Sequence, residues 1–234
     1  MSKTKKAVII GSVLVGIGVI IGFIGIAIGG FRFPNGAVDL TTMKALHAEK
    51  KTVQIADAFD KIEIAGASSM DIEICKSKTG KNYVEYYDTD DWTSRVDVKD
   101  RVLKFTTDDK GKHKAVVSLG FGKDTAARLY LADAEYKEIS VTTLSGYVTI
   151  QDVNAGTVNV SASSGDLDLE SCDAEKFDIT TSSGDVDMEI TAGRTYRFET
   201  KTNSGDVDVP DGDADSGYLC KIVTSSGDVD VKQK

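Results

Sequence analysis

The hexapeptide SGDLDL at residues 164–169 decides the fold, because close copies of it recur along the C-terminal part of the chain. The copies are SGYVTI at 145–150, SGDVDM at 183–188, and SGDVDV at both 204–209 and 226–231. We call each copy an SGD box. The glycines of successive boxes are 19, 19, 21 and 22 residues apart. This period is typical of one coil of a β-solenoid and is too short for a helical hairpin repeat.

Four columns of mostly apolar residues appear when the boxes are aligned on their glycines. Two columns lie two and four residues after the glycine: Val148, Leu167, Val186, Val207, Val229 and Ile150, Leu169, Met188, Val209, Val231. Two lie seven and five residues before it: Ile139, Val158, Phe177, Phe198, Cys220 and Val141, Val160, Ile179, Thr200, Ile222. A spacing of two is the period of a strand, so each coil is predicted to form two short strands with one face inward. The glycine marks the corner between them.

A degenerate copy of this pattern precedes the regular boxes. Residues 59–64 and 68–74 repeat the two strands, with Met70 at the position of the glycine. Further strand-like runs separate this copy from the array, which predicts an irregular part at 53–138 and a regular part at 139–234. Only three residues follow the last predicted strand. We therefore expect the final coil to be the uncapped end of the solenoid.

The motifs FDKIEI at 59–64 and ARLYL at 127–131, together with the repeated SGDVD, resemble the bacterial putative-adhesin family, a family of unknown function. The likeness covers about residue 53 to the end. It implies a single-stranded β-helix, often placed behind a membrane anchor and found near cell-envelope stress systems, without established catalytic residues. We expect an all-β, right-handed single-stranded β-helix (β-solenoid) with an N-terminal transmembrane helix.

Residues 7–31 contain no charged side chain, and this length is sufficient to cross a hydrocarbon core of about 30 Å. A cleaved signal peptide is the competing interpretation, although its apolar region normally has only about 7–15 residues. Lys3, Lys5 and Lys6 precede the span, and positive flanks stay in the cytoplasm. This predicts a cytoplasmic tail at 1–6, a linker at 32–52, and an extracytoplasmic domain at 53–234 in a single-pass cell-membrane protein.

The predicted span also carries pairs of glycines with four-residue spacing. This spacing lets two membrane helices approach closely, and a homo-oligomer formed through these residues is one hypothesis. Glycine is also simply common in membrane helices, which is the alternative explanation. The glycines are Gly18, Gly22, Gly25 and Gly29.

Aspartates recur one and three residues after the glycine in four of the five boxes, and residues two apart on a strand share a face. Residues 139–234 hold 18 acidic and 7 basic side chains, a net charge of −11, which points away from nucleic acid. Three interpretations stay open: a soluble surface that deters aggregation, a set of cation ligands, or a docking face for a cationic partner. The candidate ligand-binding residues are Asp166, Asp168, Asp185, Asp187, Asp206, Asp208, Asp228 and Asp230.

Catalytic motifs are not found in the sequence. There is no nucleophile elbow or phosphate loop, and a carboxylate pair repeated on four coils indicates structure rather than one local catalytic site. With two histidines and three widely spaced cysteines, neither a zinc centre nor a cofactor is expected. The sequence predicts a non-catalytic, adhesin-like module that mediates cell-surface or envelope interactions. The alternative is an envelope-stress sensor or modulator that binds cationic peptides or metal cations through its acidic face.

Overall fold

The computed structural model describes residues 37–39, 44–45, 48–65, 70–89, 92–109, 116–118, 126–133, 135–191 and 193–234. These residues form strands and turns and no helix, so the predicted all-β class is confirmed for them. Their strands are β1 (Ala37–Asp39), β2 (Lys44–Ala45), β3 (Ala48–Ile55), β4 (Lys61–Ala65), β5 (Ile72–Lys76), β6 (Asn82–Thr89), β7 (Trp92–Lys99), β8 (Val102–Asp109), β9 (Val116–Ser118), β10 (Ala127–Leu131), β11 (Glu135–Ser145), β12 (Val148–Gln151), β13 (Asn154–Ser164), β14 (Leu167–Ser183), β15 (Val186–Ile190), β16 (Arg197–Lys201), β17 (Val207–Asp208), β18 (Leu219–Val223) and β19 (Val229–Gln233).

No helix that could span a membrane occurs within the described ranges. The predicted tail at 1–6, the predicted span at 7–31 and its four paired glycines lie outside those ranges. The linker predicted at 32–52 is described only in part, and β3 begins inside it at Ala48.

Sixteen of these strands form one hydrogen-bonded system with two faces. Sheet I has the order β3-β6-β10-β5-β12-β14-β15-β19-β17, and sheet II has the order β7-β8-β4-β11-β13-β14-β18-β16. Strand β14 is long enough to belong to both sheets. The remaining strands form a separate small sheet in the order β2-β1-β9.

Parallel pairing in register confirms the predicted apolar columns. In sheet I, Val148 lies beside Leu167, and Leu167 lies beside Val186. In sheet II, Val158 lies between Ile139 and Phe177. The degenerate copy at residues 68–74 continues the same apolar column, because Ile72 lies beside Val148. The inward-facing residues of these coils form one continuous apolar core.

The order of the last two coils differs from the sequential order that the sequence predicts. Strand β19 pairs with β15 on one side and with β17 on the other. Strand β18 likewise lies between β14 and β16. The C-terminal coil of β18 and β19 is therefore inserted inside the stack. The expectation that this coil is the uncapped end is wrong; the end coil is that of β16 and β17.

The composition of the two coils gives a physical reason for this order. In the inserted coil the four column residues are fully or almost fully buried: Cys220, Ile222, Val229 and Val231. In the end coil Thr200 replaces an apolar residue, and Val207 is 41% exposed. Placing the more apolar coil between two neighbours buries more apolar surface, which is the dominant favourable term in folding.

The opposite end of the stack is closed by antiparallel strands. The coil of β8 and β10 lies beyond the coil of β4 and β5, although it follows that coil in sequence. Beyond it, β7 pairs antiparallel with β8, and β6 with β10. Strand β3 pairs antiparallel with β6 and forms the edge of sheet I.

At the corners, the backbones of neighbouring coils approach so closely that only glycine fits. Gly184 has a φ of +133°, a region that favours glycine, and a Cβ atom placed on it would lie 2.2 Å from the carbonyl oxygen of Gly165. The stacked corners thus leave no room for a side chain at this position.

Candidate docking face

The first aspartate of three boxes lies at the corner and accepts a hydrogen bond from the next coil. The Oδ1 atom of Asp166 accepts the backbone N–H of Asp185 at 3.0 Å. Asp185 accepts the N–H of Asp228 at 2.8 Å, and Asp228 accepts that of Asp206 at 2.8 Å. We call this series the aspartate ladder. It gives these residues a structural role that the sequence pattern did not reveal.

The box that lacks aspartates interrupts the ladder. Tyr147 stands at the corner position and donates its backbone N–H to Asp71 Oδ1 at 2.8 Å. Its own side chain offers no carboxylate to the following coil, and it is 58% exposed. The ladder therefore has a separate first step at Asp71 and then runs from Asp166 to Asp206.

The second aspartates form a row on the outer face of sheet I. Asp168, Asp187, Asp230 and Asp208 are register partners in that order. Burial, and next Glu170 and Asp187, raise the pKa of Asp168 above its usual range. Lys232 approaches the row and lies 2.6 Å from Asp230 Oδ2. Its hydrogen bond to Asp230, with further carboxylates nearby, raises the pKa of Lys232.

All eight aspartates predicted from the sequence therefore lie on one side of the stack. They occupy the corner and the adjacent outer face of sheet I, and we call this surface the acidic strip. Neighbouring strands are about 4.8 Å apart, so like charges recur at that spacing along the strip. Among the described residues, Lys232 is the basic side chain paired with it. Sequence reasoning did not include Lys232 in the site, although its place directly after the last box is visible in the sequence.

The outer face of sheet II is electrically different. Three of its acidic side chains are paired with lysines: Glu63 with Lys104 at 2.7 Å, Glu138 with Lys61 at 2.9 Å, and Asp178 with Lys176 and Lys221 at 3.0 and 3.2 Å. A hydrogen bond from Lys176, and another from Lys221, hold the pKa of Asp178 below its usual range. Surface pairs of this kind add little stability, but they neutralise this face. The excess negative charge is thus concentrated on the acidic strip.

A polar cleft of about 210 Å³ lies on the other corner of the coils. Its wall includes Glu135, Tyr136 and Asn154, together with the ion pair between Arg194 and Asp173 at 3.1 Å. The guanidinium of Arg194 also lies 4.7 Å from the centre of the Tyr218 ring. Two polar atoms of this cleft, Arg194 Nη1 and the hydroxyl of Tyr136, are nevertheless buried without a hydrogen-bond partner among the described residues.

No group of three or more His, Cys, Asp or Glu residues in the described parts of the chain has an arrangement that could hold a metal ion. All three cysteines are free thiols, and Cys172 and Cys220 are buried. Burial raises the pKa of both buried thiols to about 12, so they are not activated nucleophiles.

These features define a parallel β-solenoid repeat domain with an acidic lateral surface. The chain belongs to the Toastrack DUF4097 family, which its sequence matches over residues 59–234. No curated protein matches the sequence significantly.

The comparison with solved structures supports the fold through one protein. The chain is similar to a protein from Clostridium sporogenes described as a putative cell adhesion protein, with a TM-score of 0.61 and 15% identity over 80% of this chain and 100% of that chain. A protein from Bacteroides fragilis described as a putative adhesin matches with a TM-score of 0.36 and 15% identity over 80% of this chain and 97% of that chain. At these identities the first likeness supports the fold alone, and the second carries no weight.

Proposed function

We propose that the protein is a non-catalytic, membrane-anchored and extracytoplasmic module that mediates cell-surface or envelope interactions by docking cationic partners on the acidic strip. The supporting observation is the asymmetry of charge between the two sheets. Sheet II pairs Asp178 with two lysines and neutralises Glu63 and Glu138 in the same way, whereas the strip presents eight aspartates with Lys232 as their described basic partner. An exposed surface of one sign attracts partners of the opposite sign and speeds their encounter.

The position of strand β3 supports display of this surface. Strand β3, the first strand of this sheet along the chain, and strand β17 are the opposite edges of sheet I. Eight strand spacings separate them, a distance of about 38 Å. An anchor at residues 7–31 would therefore hold one end of the stack near the membrane and direct the coil of β16 and β17 away from it.

The test compares two charge-matched variants of the full-length protein. In the strip variant the second aspartates are replaced: Asp168→Asn, Asp187→Asn, Asp208→Asn and Asp230→Asn. This choice leaves the aspartate ladder intact. The control variant removes four charges from sheet II: Glu63→Gln, Glu138→Gln, Asp178→Asn and Glu199→Gln.

Binding of a fluorescent lysine-rich peptide is measured by anisotropy at several salt concentrations. The parent should bind, and its affinity should fall steeply with salt, because exposed charges are screened over about 8–10 Å. The strip variant should lose binding and the control should retain it. Equal losses in both variants would show that only net charge matters, and unchanged binding in the strip variant would refute the proposal.

A further inference from the structure

The end coil exposes an edge that every inner coil uses for pairing. Strand β17 pairs with β19 on one side, and no described strand lies on its other side. Residues 203–208 are all exposed. The start of β16 is partly covered, since the backbone N–H of Asp213 donates to the carbonyl oxygen of Tyr196 at 3.0 Å. The corner and β17 are therefore the open part of this end.

The inner coils show which backbone groups this edge offers. The glycine N–H of each inner aspartate-bearing box donates to a serine carbonyl of the next coil, as Gly227 does to Ser204 at 2.9 Å. The residue two positions later donates to an aspartate carbonyl, as Val229 does to Asp206 at 2.9 Å. Gly205 and Val207 hold these positions in the end coil, and no described residue accepts from them. Two backbone donors thus point outward at fixed spacing.

The aspartate ladder adds an acceptor to the same edge. Every earlier aspartate of the ladder accepts the backbone N–H of the following coil through Oδ1, as Asp228 does from Asp206. Asp206 is the last member, and no described N–H reaches its carboxylate. The end therefore presents two donors and one acceptor, arranged as they are wherever one box meets the next.

We propose that this open end, formed by residues 204–208, binds an extended cationic peptide segment of a partner protein as an added parallel strand. The inference rests on the proposed docking of a cationic partner and specifies where and how the partner binds. Addition of a strand satisfies edge donors and acceptors with main-chain hydrogen bonds, while side chains give specificity. Val207, 41% exposed, would contact an apolar residue of the segment.

Charge favours a cationic peptide over another copy of the SGD box. Asp206 and Asp208 flank Val207 and are both exposed. A strand with aspartates in the same register would place like charges about 4.8 Å away. Lysines at those positions would instead pair with the two carboxylates. The segment that fits best therefore alternates basic and apolar residues.

The experiment uses the full-length protein and a labelled peptide of the sequence Ser-Gly-Lys-Val-Lys-Val. Val207→Pro removes the outward N–H, and proline is tolerated on an edge strand whose N–H faces solvent. Val207→Thr keeps the N–H and the β-branched shape, so it is the matched control. We expect Val207→Pro to weaken peptide binding about tenfold or more and Val207→Thr to leave it nearly unchanged. Both variants should melt close to the parent.

A second variant covers the case in which proline disturbs the coil. Asp206→Ala removes the terminal acceptor and should weaken binding several-fold, while the N–H of Asp206 can still donate to Asp228. Parent-like binding by Val207→Pro and Asp206→Ala, with binding lost in the strip variant, would overturn end-on addition and leave lateral docking. Failure of the parent to bind the peptide overturns both proposals. If the parent does not bind the peptide but forms a dimer, and Val207→Pro abolishes this dimer, the edge pairs with a second copy of the chain.

Discussion

The box aspartates show how one residue type can serve structure and surface charge at once. Asp185 and Asp187 are both exposed, and the spacing of the boxes is sufficient to place them on the outside. Only Asp185 accepts a backbone hydrogen bond from the neighbouring coil. The sequence could not distinguish them, because this bond depends on the corner geometry and on which coil lies next in the stack.

Replacement of Asp185 by alanine should therefore cost stability. We expect the free energy of unfolding to fall by about 0.5–1.5 kcal/mol, since the N–H of Asp228 loses a partner but can bind water. Asp185→Asn keeps an acceptor oxygen and should cost less. Denaturant unfolding measures both variants, with Asp187→Ala as the control that should be neutral or slightly stabilising. Equal losses for Asp185→Ala and Asp187→Ala would remove the ladder as a source of stability.

The strands could be predicted from the sequence because their information is local. The alternation around Ile139 and Val141, and around Val148 and Ile150, predicts β11 and β12, and the register of their columns is confirmed. The order of the last coils could not be predicted in this way. Residues 204–209 and 226–231 have the same sequence, SGDVDV, so each can pair in register with the box at 183–188. The choice between them depends on the surrounding apolar columns.

These identical boxes provide an internal test of the two environments. Val229 is 1% exposed, whereas Val207 is 41% exposed. Val229→Ala should lower the free energy of unfolding by about 1.5–3 kcal/mol, because two methyl groups leave a packed core and a cavity remains. Val207→Ala should cost less than about 1 kcal/mol, since its site is half open. Denaturant unfolding of the two variants gives the comparison. The reverse ranking would indicate that the coils stack in sequence order.

At the scale of the molecule, the stack converts a sequence repeat into directional surfaces. Carboxylates from four boxes, far apart in the chain, form one strip because parallel coils repeat their outer positions. The pairing of Glu63, Glu138 and Asp178 with lysines keeps the other sheet neutral. The sequence indicated the acidic rows but not this contrast, because the lysine partners come from different coils. Because the other sheet is neutral, the negative electrostatic potential of the protein is concentrated on the acidic strip.

The insertion of the last coil can be tested across the whole stack by cross-linking. Asp187 lies beside Asp230, and Asp208 is one strand further away. Neighbouring Cα atoms are about 4.8 Å apart and can be bridged by a disulfide, whereas the next strand lies about 9.6 Å away and cannot. With Cys75→Ser in both variants, Asp187→Cys with Asp230→Cys should oxidise to an intramolecular disulfide. Asp187→Cys with Asp208→Cys should not. Mass spectrometry after mild oxidation reads the result, and cross-linking of the second pair alone would require sequential stacking.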